Sequence, residues 1–314
     1  MYMKKGLIAA LLGLSIAACP LLYFLVGPQL NQLQLETALI LIIITGASAL
    51  YCFVVGELSK NYSQMDKLWS ILPIAYTWVV AIKGSLHPRL VFMAVLVTLW
   101  GIRLTFNFAR KGAYKLKFWQ GEEDYRWKVL REKKEFQPHW KWVLFNLFFI
   151  SIYQNVLVLL ICVPALASMA SGVELHWVDY LAGGLVASAL ILETIADEEQ
   201  YAFQTKKYKM LGEGKKLEEL PAPYDKGFNT HGLWNVSRHP NYLGEMLFWI
   251  FLYVFSIASG IGIANWSMIG ALLLVVLFLG SSTFGEEISA SKYPEYKLYR
   301  KKVSRFIPFR PYRK

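Results

Sequence analysis

The amino-acid sequence predicts an all-α protein in which several helices cross a membrane. Of its 314 residues, 55% are hydrophobic and only 18% are charged. The mean hydropathy of +0.36 is too high for an ordinary soluble domain of this length. Several apolar runs also exceed the roughly 18 residues that suggest a membrane span. We therefore expect a polytopic transmembrane helix bundle of about eight spans, with seven or nine as alternatives, and with cofactor-binding loops on the cytoplasmic side.

The N-terminal stretch, residues 1–26, resembles a secretion signal because Lys4 and Lys5 precede an apolar run. The residues before Cys19 even resemble a lipoprotein cleavage box. Since the apolar run continues to Val26 and further spans follow, we interpret the stretch as a retained first span. Cleavage is the minor alternative.

Seven further apolar runs predict the remaining spans. They are Leu35–Val55, Leu68–Ile82, Leu90–Ala109, Trp142–Val163, Val178–Glu199, Asn241–Ser259 and Ile263–Phe284. The loops after the fourth and sixth spans and the tail are basic, which by the positive-inside rule puts them and both termini in the cytoplasm. Lys83 and Arg89 are exceptions on the opposite side. We expect an integral protein of a bacterial inner membrane.

Composition argues against several other classes of site. The 3 Cys residues lie in or beside apolar runs, and the 5 His residues form no pair at metal-ligand spacing. Basic loops with Trp residues beside membrane ends more often contact lipid headgroups than nucleic acid. The expected partners are a lipophilic small molecule and membrane lipids, with no metal, nucleic acid or obligate protein partner.

The densest group of polar and aromatic residues beside an apolar run extends from Gly232 to Glu245. Pro240 suits the first position of a helix, because the N–H that it lacks has no helical partner there. Arg238 and His239 would then lie at the positive end of the helix dipole, which suits a phosphate or carboxylate. The alternative is a helix cap whose Arg contacts lipid headgroups.

Polar residues inside predicted spans are costly and indicate function by default. On the fourth span, residues at three- and four-residue steps share a face: Trp100, Arg103, Asn107, Arg110 and Tyr114. Arg side chains that snorkel to the interface are the alternative. On the sixth span, Glu193, Asp197, Gln200 and Gln204 share a face that could bind ribose hydroxyls or form interhelical salt bridges.

Asp66 precedes the third predicted span. It could cap a helix, or it could act as a carboxylic acid whose pKa is raised by apolar surroundings. Glu286 ends the last span, and a tail rich in Tyr and Arg follows it. That tail could fold back over a cofactor or lie on the membrane.

Several motifs occur in an order that resembles a known superfamily. They are Gly101-Ile102-Arg103-Leu104, Glu123-Asp124-Tyr125-Arg126-Trp127, Ala196-Asp197-Glu198-Glu199-Gln200, Ser237-Arg238-His239-Pro240-Asn241-Tyr242-Leu243-Gly244-Glu245, Tyr293-Pro294-x-Tyr296-x-x-Tyr299 and Phe306-Ile307-Pro308. Over residues 66–308 the pattern resembles a bacterial membrane family related to the C-terminal domain of steroid 5-alpha-reductases. It divides the chain into N-terminal transmembrane helices (1–65) and a reductase-like membrane domain (66–314).

The resemblance implies NADPH-dependent reduction of a carbon–carbon double bond in a lipophilic enone, steroid-like or isoprenoid-like. The implied catalytic residues are Asp66, Trp100 and Tyr242, although the reductases have Glu and Tyr where this chain has Asp66 and Trp100. The implied cofactor-binding residues are Arg103, Asn107, Arg110, Lys111, Tyr114, Glu193, Asp197, Arg238, His239, Asn241, Tyr242, Glu245, Glu286 and Arg305.

Two alternatives stay open at this point. Isoprenylcysteine carboxyl methyltransferases share the Arg-His-Pro-x-Tyr signature, so the cofactor could be S-adenosylmethionine. The chain could also be a non-catalytic lipid-binding membrane protein that retains the fold, in which case the polar pairs inside its spans serve only packing.

Overall fold

The computed structural model describes residues 23, 25–169 and 172–308, so the predicted first span falls almost entirely outside the described residues. Within them, six helices are long and apolar enough to cross a membrane. The predicted all-α, polytopic fold is confirmed. The helices, numbered in chain order, are α1 Gln32–Ser59, α2 Gln64–Leu68, α3 Leu72–Lys83, α4 Pro88–Ala109, α5 Tyr125–Arg131, α6 His139–Ser168, α7 Trp177–Gly212, α8 Pro240–Ser256, α9 Ile269–Lys292 and α10 Tyr296–Lys302.

The chain forms two compact units, which we describe separately. Unit 1 comprises the described parts of Met1–Gly184 together with Trp249–Leu274. Unit 2 comprises Leu185–Phe248 and the described part of Val275–Lys314. The division falls within α7, α8 and α9, so each of these helices contributes one end to each unit.

Helix α1 begins at a defined cap and has two distinct faces. Asn31 Oδ1 accepts the Gln34 N–H and Gln34 Oε1 accepts the Asn31 N–H, both at 2.9 Å. Leu39 and Ile43 on the outward face are exposed. The inward face carries mostly small or polar residues: Gln34, Thr37, Leu41, Thr45, Ser48, Cys52 and Gly56. Small residues toward protein and large apolar residues outward are typical of a helix that borders lipid.

The predicted third span, Leu68–Ile82, is shorter in the structure. Helix α2 ends at Leu68, and α3 begins anew at Leu72 with Pro73 in its first turn. A Pro is tolerated in a first turn but not in a helix interior, which explains the break. The 12 residues of α3 measure about 18 Å at 1.5 Å per residue, against roughly 30 Å for the apolar core of a bilayer. Helix α3 therefore packs against α4 and α6 as a short inner helix.

Helix α4 approaches the start of α3 closely at Gly101. A Cβ atom at this position would lie 2.5 Å from the Ser70 carbonyl oxygen and 2.6 Å from Ile74 Cδ1. Both distances are far inside van der Waals contact, and the first involves backbone that cannot move aside. Glycine at this point allows α4 to lie against α3, which fixes the direction of the polar face of α4.

A fully buried ion pair connects the beginnings of α4 and α7 within unit 1. Arg89 Nε and Nη2 donate to the two carboxylate oxygens of Asp179 at 2.6 and 3.0 Å, and both side chains are 0% exposed. Arg89 also donates to the carbonyl oxygens of Val173 and Glu174 at 2.9 and 3.0 Å. Its charge is therefore neutralised inside the protein. Arg89 nevertheless stays an exception to the loop-charge pattern, which counts Lys and Arg rather than net charge, and Lys83 is exposed.

Unit 2 has an aromatic core beside α10. Its buried members are Phe228, Tyr296, Tyr299 and Val303. The Phe228 and Tyr296 rings meet edge-on with their centroids 4.9 Å apart. The buried Lys207 of α7 donates from Nζ to the Gly227 carbonyl oxygen at 2.9 Å. The loop before α8 and the segment around α10 are thereby anchored to the second half of α7.

Candidate functional site

Asp66 lies in a group that we name the Asp66 cluster: Ser63, Asp66, Asp124, Arg126 and Trp127. Trp127 Nε1 donates to Asp66 Oδ2 at 2.8 Å. Arg126 Nε and Nη2 donate to the Asp124 carboxylate at 2.9 and 2.8 Å. Burial, and next the Asp124 carboxylate, raise the pKa of Asp66. Asp66 therefore keeps its proton at a higher pH than an ordinary carboxyl group and is suited to donate a hydrogen bond.

The alternative that Asp66 caps a helix is wrong. Helix α2 begins at Gln64, so Ser63 occupies the capping position and Asp66 lies within the first turn. An acidic residue in the first turn is still favoured by the helix dipole. In a helix of only five residues, that contribution is small beside the hydrogen bond from Trp127.

The polar face predicted on α4 is present in the structure. Its inward residues are Trp100, Arg103, Asn107 and Arg110. Phe106 on the opposite side is 62% exposed. Arg110 Nε and Nη2 donate to Asn107 Oδ1 at 3.1 and 2.8 Å, so Arg110 lies along its own helix. The rings of Trp100 and Trp249 meet edge-on with centroids 4.9 Å apart.

The segment after α4 is fastened to α2. Lys67 Nζ donates to the carbonyl oxygens of Phe118 and Gln120 at 2.8 and 2.7 Å, and burial lowers the pKa of Lys67 to about 8. The Tyr114 hydroxyl donates to the Lys67 carbonyl oxygen at 2.8 Å. The Tyr114 hydroxyl group is thus hydrogen-bonded to the backbone of α2. Lys111, by contrast, is exposed. Their roles toward a cofactor stay predictions.

In unit 2, polar side chains lie where the second half of α7 faces the first turns of α8. Glu193, Asp197 and Glu245 are buried. Asn241 Nδ2 donates to Asp197 Oδ1 at 3.1 Å. Asn241 Oδ1 is also buried, and no described residue donates a hydrogen bond to it. A buried carboxamide oxygen in this state is ready to accept an N–H or O–H from a ligand.

The same face of α7 continues away from Asp197 through two glutamines. The Oε1 atoms of Gln200 and Gln204 are buried and have no hydrogen-bond partner among the residues that the structure describes. The sequence placed both residues on this face but did not select them as binding residues. Spacing showed the shared face, but not that these oxygens would be buried without donors.

Gly244 allows the contact between α7 and α8. A Cβ atom on Gly244 would lie 2.7 Å from Glu193 Cβ and 2.9 Å from the Glu193 backbone nitrogen. We expect Gly244→Ala to lower the melting temperature, because overpacking of this kind costs about 1–3 kcal/mol. The matched control is Gly285→Ala in α9, where no atom lies within 4 Å of the added methyl group. That variant should be as stable as the wild type or more so, and equal melting of the two variants would contradict the close approach.

A second group, the Glu286 cluster, comprises Arg238, His239, Glu286 and Arg300. The Glu286 carboxylate is 0% exposed. Its Oε1 lies 2.7 Å from Arg238 Nε and 3.0 Å from His239 Nε2, and its Oε2 lies 3.0 Å from Arg300 Nε. Burial lowers the pKa of His239 although Glu286 opposes this, so the imidazole is neutral at pH 7. One buried carboxylate is therefore shared by two guanidinium groups.

Arg238 also ties the start of α8 to the C-terminal segment. Its Nη1 donates to the carbonyl oxygens of Arg300 and Val303 at 2.7 and 2.5 Å. The backbone N–H groups of Arg238 and His239 donate to the carbonyl oxygens of Ser304 and Arg305 at 2.9 and 3.1 Å. The described part of the tail folds back onto the chain, and its course over a cofactor or along the membrane stays a prediction. The Arg238 guanidinium group thus donates its hydrogen bonds to protein groups in this structure.

Tyr242 is held within a stack of rings. Its ring lies 4.5 Å from Phe278 and 5.4 Å from His239 between centroids, with the planes inclined by 18° and 22°. Its hydroxyl oxygen lies 3.4 Å from Ser281 Oγ. Arg305 Nη1 donates to Thr283 Oγ1 at 3.2 Å, which holds Arg305 against α9. The two ring contacts fix the orientation of Tyr242 on the first turn of α8.

The predicted site residues divide between the two units. Unit 1 contains Asp66, Trp100, Arg103, Asn107, Arg110, Lys111 and Tyr114. Unit 2 contains Glu193, Asp197, Arg238, His239, Asn241, Tyr242, Glu245, Glu286 and Arg305. Sequence reasoning did not select Trp127, Phe278 or Arg300. Within the described residues, no three His, Cys, Asp or Glu side chains form a group that could hold a metal ion.

Comparison with known proteins shows the family. Residues 52–303 match the family described as "Protein of unknown function (DUF1295)". The chain is 37% identical over 264 residues to the uncharacterized protein C594.04c of Schizosaccharomyces pombe, which covers 80% of this chain and 73% of that protein. No solved structure matches. This relative is fungal, whereas the sequence resemblance pointed to a bacterial family. Because the family match covers residues 52–303, which is most of the chain, the chain belongs to the DUF1295 family.

Proposed function

We propose that the protein is a membrane-embedded reductase that uses NADPH to reduce a carbon–carbon double bond in a lipophilic enone. The observation that carries the proposal is the Asn241 carboxamide, which is held by Asp197 while its oxygen is buried without a donor among the described residues. A nicotinamide carboxamide offers N–H groups that such an oxygen accepts. The order of motifs similar to that of steroid 5-alpha-reductases supports the same cofactor.

The other polar groups of unit 2 fit a dinucleotide in their chemistry. The buried carboxylates of Glu193 and Asp197 can accept hydrogen bonds from ribose hydroxyl groups. The Tyr242 ring stacks with Phe278 and His239, which fixes the position from which its hydroxyl group could contact a ligand. Contacts of Arg103, Arg110 and Lys111 with the phosphates stay predictions from the motifs.

When bound, NADPH would supply a hydride to the β-carbon of the enone. The contribution of the chain is to hold the reactants and to stabilise charge. The raised pKa of Asp66 favours its protonated form, and in that form it would donate a hydrogen bond to the enone oxygen, where negative charge develops. Trp127 holds the other side of that carboxyl group at 2.8 Å. Trp100 could add one N–H donor but cannot protonate the substrate.

We further propose that the long basic loops and both termini face the cytoplasm, where NADPH is available. The excess of Lys and Arg in the long loops and the tail supports this orientation. The assignment to a bacterial inner membrane stays a prediction.

The test is the thermal stability of the detergent-purified protein with NADPH, NADH or S-adenosylmethionine. A ligand at about 100 times its Kd should stabilise the native state by about 2.7 kcal/mol. We expect a shift with NADPH that Asn241→Ala abolishes, whereas the matched control Asn235→Ala, in the short turn that precedes α8, keeps it. A shift with S-adenosylmethionine alone would indicate methyl transfer instead. No shift with any of the three would favour a non-catalytic lipid-binding protein.

A further inference from the structure

Two glutamine side chains of α7 contain buried oxygen atoms for which the described residues supply no donor. These are the Oε1 atoms of Gln200 and Gln204. A buried carbonyl oxygen in this state costs free energy, and most such atoms in folded proteins have a donor. The two residues are four positions apart, which puts their side chains next to each other on the helix, with Cβ atoms about 5–6 Å apart. One donor group with two N–H bonds can therefore serve both oxygens.

The two glutamines continue the face of α7 that carries Asp197, whose carboxylate holds Asn241. They lie three and seven residues beyond Asp197, which is about 4.5 and 10.5 Å along the axis at 1.5 Å per residue. Residues 180–192 contain no Asp, Glu, Lys or Arg, whereas residues 193–209 contain seven. The glutamines are thus on the polar side of Asp197, toward the end of α7 that leaves the apolar region.

This face offers hydrogen-bond acceptors rather than cations. The neighbouring lysines contact other groups, since Lys207 Nζ donates to the Gly227 carbonyl oxygen at 2.9 Å. Lys206 Nζ lies 5.3 Å from the centre of the Tyr224 ring. A phosphate group consists of acceptor oxygens and would meet further acceptors here. An amino group fits instead, because its N–H bonds are what the two carboxamide oxygens lack.

We propose that Gln200 and Gln204 bind the 6-amino group of the adenine base of NADPH, while Asn241 binds the nicotinamide carboxamide. The inference rests on the proposed function and deepens it, because it assigns the two ends of the cofactor to two positions on one face of α7. The adenine amino group and the nicotinamide carboxamide are the two nitrogen donors of this molecule. In this orientation the nicotinamide end points toward the apolar part of α7, from which a lipophilic substrate would arrive.

The test compares NADPH with its hypoxanthine analogue, in which an oxygen atom replaces the 6-amino group of adenine. The dissociation constant of each is measured from the rise in melting temperature of the detergent-purified full chain during a ligand titration. We expect the wild type to bind the analogue about tenfold more weakly, because an acceptor then faces the two buried oxygens. In the double variant Gln200→Leu with Gln204→Leu, NADPH and the analogue should bind equally, both about as weakly as the analogue binds the wild type.

The melting temperature of the ligand-free double variant supplies a second readout. Leucine replaces two polar groups that lack donors by apolar groups of similar size, so this variant should melt at the same temperature as the wild type or higher. A lower melting temperature would show that the glutamines serve the fold and would count against the proposal. The control Gln137→Leu, before α6, should keep the wild-type preference for NADPH.

The comparison of the two ligands on the wild type needs no variant. Equal binding of NADPH and the analogue to the wild type would overturn the adenine assignment and leave the proposed reductase standing. If neither ligand shifts the melting temperature of the wild type, the proposed function fails, and this assignment fails with it.

Discussion

Replacing Glu286 by Gln is expected to destabilise unit 2 by about 3–5 kcal/mol, since it leaves buried cations without their anion. The substitution preserves the shape of the side chain and removes only its charge. Arg238 and Arg300 would then face each other with no carboxylate between them. We expect a large fall in the melting temperature of the purified protein, together with loss of any stabilisation by NADPH.

The matched control for this prediction is Glu287→Gln, the same substitution one residue further along α9. Glu287 is only partly buried and is not part of the Glu286 cluster. Its loss should change stability by less than about 1 kcal/mol, as is usual for charged groups that stay in contact with solvent. If Glu286→Gln melts at the same temperature as Glu287→Gln, then the cluster does not hold unit 2 together.

Breaking the buried pair in unit 1 is expected to have an effect of similar size. Asp179→Asn removes the charge opposite Arg89 while both side chains stay fully buried, which should cost about 3–5 kcal/mol. Replacing both partners by apolar residues, in the double variant Arg89→Met with Asp179→Leu, should recover much of that loss. The recovery should be incomplete, because the carbonyl oxygens of Val173 and Glu174 would lose the donors that Arg89 supplies.

The measurement is the melting temperature of the single and double variants in one detergent. The order expected is wild type highest, the double variant intermediate and Asp179→Asn lowest. A double variant less stable than Asp179→Asn would mean that Arg89 contributes mainly through its bonds to the backbone carbonyls. A single variant as stable as the wild type would contradict a stabilising role for the pair.

Much of the fold was predictable because it depends on short-range patterns. Long apolar runs define the membrane-spanning helices, and the shared face of Arg103 and Asn107 follows from helical spacing alone. Pro240 also begins α8, as its missing N–H predicts. Helix α3 was predicted too long because the hydropathy of Leu68–Ile82 outweighed Pro73, the one residue that marks the new start.

The partners of the charged residues could not be read from the sequence. Arg89 and Asp179 are 90 residues apart, and Arg238 and Glu286 are 48 apart. In the sequence, each of these four residues looks like an ordinary charged residue at the end of a membrane span. The bond from Trp127 to Asp66 likewise joins residues 61 positions apart. Local periodicity shows which side chains face inward, but the partner they meet is set by tertiary packing.

The long sequence separation between Arg238 and its partners has a consequence for how the protein is made. The carbonyl oxygen of Val303 that Arg238 binds lies 65 residues further along the chain. At the usual 5–20 residues per second of synthesis, the ribosome needs roughly 3–13 s to add that stretch. For the first 48 residues of this stretch the guanidinium group lacks Glu286, and until the end of the stretch it lacks the C-terminal carbonyl oxygens. The start of α8 must therefore wait in contact with water or lipid headgroups, and it reaches its buried position only after residues 286–305 have been synthesised.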